Sequence, residues 1–571
     1  GAVATVEQRD LGLALGAVIS ECQPLVGGKI DKVQQPEKDL LLFVVRANNG
    51  TRRLLVSTHP ETGRLQLTGR TYDNPMNAPA FCMLLRRRLA GGRICSIRQL
   101  GADRVCEIIV LARNELFDEV ALRIVVELTG KHANLILLEP DGAVVDCLRR
   151  VSAGDDATRI LLPGFPYEPV PAQEKLDPFA AREEAFALAL AAPDPVRAMT
   201  ASFNGISKQS AVALLSAAPS ADALFTLIQN IKSGAYAPCL AFNGEGEPVA
   251  ALPFLPRGMY ARIEPCVSMS EALDRYYAGR DLMIRIRRHG AALRHTVSTA
   301  LGRAQNKYAA FWESIHQSEQ IESLRLNGEL ILSNLHLAKP GQSELIVDDY
   351  FADPPAKRAI PLDPAYSAQE NAKRYFKQYR KGKLSKAYAE GQIDSLSGEI
   401  AYLEGQLENI DKCETLCELN EIREELIREK YLRPEKAHAA KSSGKSSAPM
   451  RFHSSDGIPV YVGKNNRQND ELTLRFAQSE NIWLHAKNIP GSHVVIDFIG
   501  DPPETTLREA ASLAAYYSQA RASSNVPVDY TPRKFVKKPS GARPGMVIYS
   551  TNRTLYVTPD PALVASIRAE K

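Results

Sequence analysis

The chain has 571 residues, 44% of them hydrophobic and 24% charged, an ordinary globular composition in a length that predicts three or four domains. No apolar run approaches the roughly 20 residues of a membrane helix, and the first residues lack a charged-then-apolar leader pattern, so the expectation is a cytoplasmic protein with no membrane partner. Nine cysteines without a CxxC pair argue against a disulfide framework and a zinc site, and no metal or cofactor is expected. Cys413 and Cys417, four apart, read as core positions on one helix. The net charge of +4 hides two basic blocks: Arg280 to Lys307 holds seven Lys or Arg and one acid, and Lys373 to Lys386 holds seven and none. Such blocks suit phosphate-facing surfaces, although solvated helix faces look the same.

In chain order, residues 1 to 170 read as an α/β unit with repeated hairpins. Leu11 to Leu25 has a weak helical pattern that stops at Gly27-Gly28, and Ile30 to Val33, Leu40 to Val45 and Arg53 to Ser57 follow as a meander. A helix is predicted from Pro79 to Ala90, then strands at Arg93 to Leu100, Val105 to Leu111, Leu122 to Leu128 and Asn134 to Leu138. Two loop constellations stand out, Gly101-Ala-Asp103-Arg104 and Glu127-Leu128-Thr129-Gly130-Lys131-His132. Adjacent Asp and Arg in a loop suit a phosphate or a base edge, and a salt bridge within the hairpin accounts for the same spacing.

After a Pro-rich joint, Pro166 to Pro178, residues 171 to 278 read as mostly helical. Within them, the segment Phe203-Asn-Gly205-Ile-Ser207-Lys208 resembles a helix-hairpin-helix turn, in which backbone N–H groups and Lys208 meet a phosphate; a plain helical hairpin explains Gly205 equally well. Residues 279 to 433 predict two long helical arms around a small insert. Leu293, Val297, Ala300, Ala304, Phe311 and Ile315 mark the first, and Ile393, Leu396, Ile400, Leu403, Leu407 and Ile410 mark a heptad seam on the second. The acidic run Glu390 to Glu429 is read as one helix. Paired as an antiparallel coiled coil, arms of some 40 residues would reach on the order of 60 Å. Residues 434 to 449 form a Ser/Ala/Lys linker.

The last part, residues 450 to 571, opens with a hairpin, Phe452 to Val462. It continues as a strand, turn and strand from Asn481 to Ile496, a small-residue helix from Leu507 to Arg521, and a basic loop from Lys534 to Lys538. His485 and His493 lack a third ligand at metal spacing, and neither paired carboxylates nor a Ser/His/Asp set can be assembled, so no catalytic residues are assigned. Trp483, His485, Tyr516, Tyr517 and Tyr530 lie beside Lys487, Arg533, Lys534, Lys537 and Lys538. Rings interleaved with cations suit base stacking and phosphate neutralisation; rings in the core with only the lysines outside is the other reading.

Three blocks in this part, WLHAKNIPGSHVVI, EAASLAAYYSQA and VPVDYTPRKFVKKPSGARPGMVIYS, closely resemble the NFACT-R module of the RqcH, NEMF and fibronectin-binding protein A family. The resemblance extends over the chain and implies an α+β multidomain protein. Its parts would be a MutM-like N-terminal NFACT-N domain, a helix-hairpin-helix domain, a long antiparallel coiled coil with a small tip, and a C-terminal α+β NFACT-R domain. It implies tRNA binding by Asp103, Arg104, Glu127, Leu128 and Thr129, the last departing from the family's bulky apolar residue. Contacts to RNA or the ribosome would come from Gly205, Lys208, Trp483, His485, Lys487, His493, Arg533, Lys534, Lys537 and Lys538. The implied function is ribosome quality control of the bacterial RqcH type. The protein would bind large subunits obstructed by peptidyl-tRNA and recruit alanyl-tRNA for mRNA-independent alanine tailing, peptide transfer being left to the ribosome. A small RqcP-type RNA-binding protein is a further implied partner. Two other readings are a fibronectin-binding surface adhesin, from the family's older name, and a DNA-binding repair-like protein. The start Gly1-Ala-Val-Ala lacks the proline and glutamate with which MutM-type glycosylases attack.

Overall fold

A computed structural model describes residues 11–75, 77–114, 116–152, 154, 159–171, 174–317, 320–434 and 447–569. The start Gly1-Ala-Val-Ala and most of the 434–449 linker lie outside the described residues. The chain is α+β and divides into two units, residues 1–283 and 284–571.

The first unit opens with helix α1 (Leu11–Cys22), followed by strands β1 (Lys29–Glu37), β2 (Leu40–Ala47), β3 (Gly50–Ser57) and β4 (Arg64–Leu67). Helix α2 (Ala80–Leu89) leads to β5 (Arg93–Gln99), β6 (Val105–Arg113), β7 (Glu119–Glu127), β8 (Asn134–Leu138) and β9 (Val144–Cys147). The nine strands form one antiparallel sheet in the order β4-β3-β2-β1-β5-β6-β7-β8-β9. Leu13, Leu15, Ala17, Val18 and Cys22 of α1 are all buried, so this helix has little polar face, and its periodicity in the sequence is correspondingly weak. Strand β4 carries an inverted pattern, because its buried positions Arg64 and Gln66 are polar. The Arg64 guanidinium pairs with Asp281 at 2.6 Å and lies 4.4 Å from the centre of the Tyr277 ring, and Gln66 Nε2 donates to Asp274 at 2.6 Å.

Four helices follow: α3 (Glu183–Leu190), α4 (Pro195–Ser202), α5 (Lys208–Ala217) and α6 (Ala221–Ser233). Then come three strands absent from the helical expectation, β10 (Cys239–Phe242), β11 (Pro248–Leu252) and β12 (Arg262–Pro265), in the order β11-β10-β12. Strands β10 and β11 are only four and five residues long, too short to set a period in the sequence, and are held by cross-strand pairing.

Helix α7 (Met269–Gln317) begins in the first unit and runs into the second. In the second unit, α8 (Ile321–Ser333), the hairpin β13 (Glu344–Asp349) and β14 (Ala356–Pro361), and α9 (Ala368–Asp411) follow. The long helices run antiparallel: the Phe311 and Tyr388 rings lie 5.9 Å apart, the Ser314 and Ser385 hydroxyls 3.3 Å apart, and Arg294 pairs with Asp411. Leu293, Val297 and Ala304 bury against Leu396, Leu403 and Ile410. Gly328 of α8 faces the Phe376 ring so closely that a Cβ would stand 2.9 Å from it.

The acidic run is two helices. Helix α9 ends at Asp411, and α10 (Leu416–Arg428) starts on a capping box in which Thr415 Oγ1 accepts from Glu418 N and the Glu418 carboxylate reaches back. Cys413 therefore sits between helices and Cys417 inside α10, and they share no helix. The last part contains β15 (Met450–His453), β16 (Pro459–Val462), α11 (Asn466–Glu471), β17 (Ile482–Ala486) and β18 (Val494–Ile496). It closes with α12 (Glu504–Tyr516), β19 (Val526–Pro532), β20 (Val536–Lys537), β21 (Ile548–Tyr549), β22 (Arg553–Val557) and α13 (Pro561–Ile567). Its main sheet runs β15-β16-β18-β17-β19-β22. Ala510, Ala511, Ala514 and Ala515 of α12 are fully buried in the core it forms with this sheet, small side chains permitting close approach.

Candidate nucleic-acid interface

In the first unit, the turn from β5 to β6 is closed by Leu100 N donating to Val105 O at 2.9 Å. Asp103 Oδ1 accepts from Arg104 N at 2.9 Å, and Gln99 Nε2 donates to Asp103 O at 2.7 Å and to Gly12 O at 2.9 Å. These bonds fix the backbone beneath the Asp-Arg pair. The second loop constellation lies alongside: Glu127 pairs with Val105 across β6 and β7, and Leu128 N donates to Arg104 O at 2.8 Å. Its first two side chains point away from solvent, while Lys131 and His132 are exposed. Glu127 is fully buried, held by Arg159 and by the Tyr167 hydroxyl at 2.7 Å, and Leu128 is 1% exposed in the core. Both side chains face the interior, where the buried carboxylate ties the 159–168 segment to the sheet. Thr129 is half-buried, and its hydroxyl has no partner.

The opposite wall is the turn between α4 and α5. Gly205 has a φ of +70°, and a Cβ there would lie 2.5 Å from Ala102 O. A Cβ on Gly12 would lie 2.7 Å from the same oxygen and 2.9 Å from the Gly205 Cα. Three backbones thus meet where only glycine fits. The α5 N-terminus is largely taken up by itself, since Ser210 N donates to Ser207 Oγ at 3.1 Å and Ser207 N to Ser210 Oγ at 2.8 Å. Fewer N–H groups remain for an anion than the turn alone suggested. Lys208, the first residue of α5, is exposed. Asp103, Arg104, Asn204, Gly205 and Ile206 line one cavity of about 270 Å³, together with Lys175 and Thr200. Two motifs some hundred positions apart are brought together here. Lys175, in the Pro-rich joint, carries no periodic signal that could have marked it.

In the second unit, Trp483 and Tyr517 of the expected ring platform are buried, while His485, Tyr516 and Tyr530 are half-buried. Trp483 is 1% exposed and packs against His493, Tyr549 and His485 at ring-centre distances of 5.2, 5.2 and 5.8 Å. His493 is 2% exposed, with Nδ1 2.7 Å from Thr473 Oγ1. Burial pushes the His485 pKa down to about 4 and that of His493 well below its ordinary value, so both rings are neutral at pH 7. Trp483 and His493 therefore offer no face to a base, because the core needs their apolar area. Their rings do approach as their strands predict, His485 and His493 lying 5.5 Å apart. Among the described residues, no group of three His, Cys, Asp or Glu is arranged for a metal.

The cations divide by partner. Arg533 donates to Thr473 O at 2.8 Å and Leu474 O at 3.1 Å; Lys534 pairs with Glu480 at 3.0 Å; Lys538 pairs with Asp470; Lys487 is 3.9 Å from Asp529. Lys537 is exposed on β20 beside exposed Ile548. On α9, Lys373, Arg374, Lys377, Arg380, Lys381 and Lys383 form an exposed basic face. The sequence reading thus separated surface lysines from rings poorly, since both readings share one pattern.

Known proteins match along the chain. A family model described as NFACT N-terminal and middle domains matches residues 12–445, and one described as NFACT protein RNA binding domain matches residues 449–550. A Bacillus subtilis protein named Rqc2 homolog RqcH is 35% identical over 557 residues, covering 96% of this chain and 97% of the relative. A Streptococcus pneumoniae protein of the same name is 34% identical over 561 residues, covering 98% and 99%. The solved C-terminal part of a fibronectin/fibrinogen-binding protein from Streptococcus suis is 33% identical and covers 50% of this chain and 100% of its own, with a TM-score of 0.40. Matched from the first strands of its large sheet to its last basic hairpin, and with relatives a third identical from end to end, the chain belongs to the NFACT family as a homologue of RqcH.

Proposed function

We propose that this protein is a cytoplasmic ribosome quality-control factor. It binds large subunits obstructed by peptidyl-tRNA and recruits alanyl-tRNA for mRNA-independent alanine tailing of the stalled chain, aided by a small RqcP-type RNA-binding protein. Peptide transfer is the ribosome's own. In this reading, the first unit holds a MutM-like domain and a helix-hairpin-helix turn that grip tRNA, the paired arms are a coiled coil that reaches across the subunit, and the C-terminal part contacts RNA.

The observation that carries the reading is the shared cavity of Asp103, Arg104 and the Gly205 turn. An Arg fork and a carboxylate set on a backbone floor suit a phosphate and a base amine side by side. Purification at low salt followed by sequencing of the bound RNA tests it, with alanine tRNA the expected species. Replacing Asp103 and Arg104 by alanine is expected to lower tRNA binding about tenfold or more with the melting temperature unchanged. Unaltered tRNA binding by that variant would refute the assignment.

A further inference from the structure

Lys175 lies on the cavity wall with Asp103, Arg104 and the Asn204-Gly205-Ile206 turn. Its position is fixed by backbone: Leu176 N donates to Ser202 O at 2.8 Å, and Asn204 N donates to Leu176 O at 2.9 Å, so residue 175 is stitched to the end of α4. The ammonium donates to Thr200 O at 3.0 Å. That uses one of its three donors, and among the described residues no carboxylate pairs with it. The cavity thus holds two cations, Arg104 and Lys175, and one acid, Asp103, which already accepts from Arg104 N. A half-enclosed pocket into whose wall an ammonium is set with donors to spare suits an anion, and the anion that RNA brings is its phosphodiester.

We propose that Lys175 contacts a backbone phosphate of the RNA seated between the Asp103-Arg104 turn and the Gly205 turn. This rests on the reading of the cavity as the tRNA site. A purely structural account also exists, since a lysine on the last carbonyls of α4 favours that helix end. The two accounts differ in salt dependence. Each phosphate neutralised adds about 0.7–0.9 to the slope of log affinity against log salt, whereas a helix cap adds nothing.

The test is filter binding of unmodified alanine tRNA to the full chain across a sodium chloride series. It compares the parent, Lys175→Met, Lys175→Arg and the Asp103→Ala/Arg104→Ala double variant, with a thermal melt of each. Lys175→Met is expected to bind about five- to tenfold more weakly at low salt and to lose about one from the slope, with Lys175→Arg recovering both. If Lys175→Met keeps the parental slope, whether or not it melts lower, Lys175 is only a helix cap and the inference is overturned. If the double variant instead binds like the parent, the reading of the cavity fails separately. A parent chain that ignores tRNA sinks both.

Discussion

A Cβ at Gly205 would stand 2.5 Å from the Ala102 carbonyl oxygen, at a φ of +70° that already favours glycine. Gly205→Ala is therefore expected to cost about 2–4 kcal/mol, from backbone strain and forced separation of the two walls. A lower melting temperature and loss of tRNA binding would show it, and a variant that melts with the parent would contradict the close approach. At this scale, the sequence was legible where backbone geometry demanded a residue type. Gly205 and the Asp103-Arg104 turn stood out because few side chains suit such turns. The burial of Glu127 was not legible, because a carboxylate destined for the core is written like one destined for solvent. Its partners Arg159 and Tyr167 lie 32 and 40 positions away, too far for a local pattern to connect. The burial of Trp483 and His493 stayed open in the sequence, as aromatic rings near lysines describe a stacking surface and an amphipathic strand alike.

Helix α10 is joined to the RNA-binding part by a buried carboxylate. Glu425, 3% exposed, accepts from Tyr402 Oη at 2.9 Å, Asn466 Nδ2 at 3.0 Å and Gln406 Nε2. Burial raises its pKa. Removing the acceptor strands those donors at about 1–3 kcal/mol for each group left unsatisfied. Glu425→Ala should therefore melt lower and be cut faster by protease around residues 428–450, while Glu425→Gln, which keeps an acceptor oxygen, should lose less. Equal melting of both variants and the parent would mean that the network holds nothing. Elements with strong periodicity, the two arms above all, were read directly from the heptad seam. Those that are short or bury polar residues were not: Arg64 and Gln66 hide β4, and β10 and β11 span only four and five residues. The break at Thr415 was missed because an acidic stretch continues through it, and only the capping box marks the new start.

At the scale of the molecule, stability should depend on pH through two imidazoles, the buried His493 and the half-buried His485. Their folded pKa values lie below the ordinary 6.5, that of His485 at about 4, so the unfolded chain binds more protons between these values. Stability is then complete above about pH 6.5 and falls as pH drops toward 4, by up to about 1.4 kcal/mol per pH unit for each group. Trp483 reports this region once the half-exposed Trp312 is removed. In a Trp312→Phe background, the guanidinium midpoint from Trp483 emission should decline below pH 6.5, and His485→Phe should flatten part of that decline. A midpoint constant from pH 7 to 4.5 would contradict the buried neutral state. The ordered motifs made the family readable from the chain as a whole. The division between residues 283 and 284 lies five positions from the boundary expected at 278/279, and its exact place was not readable, because it falls inside the 49-residue helix α7, and an unbroken helical pattern carries no punctuation.

The cavity between the Asp103-Arg104 turn and the Gly205 turn is assembled from segments up to about a hundred positions apart, with Lys175 and Thr200 between them in sequence. During synthesis, a chain that has released only its sheet owns half a cradle. On the proposed reading, no grip on RNA is expected until the α4–α5 turn closes over the finished sheet, and products truncated short of Asn204 are expected to bind none.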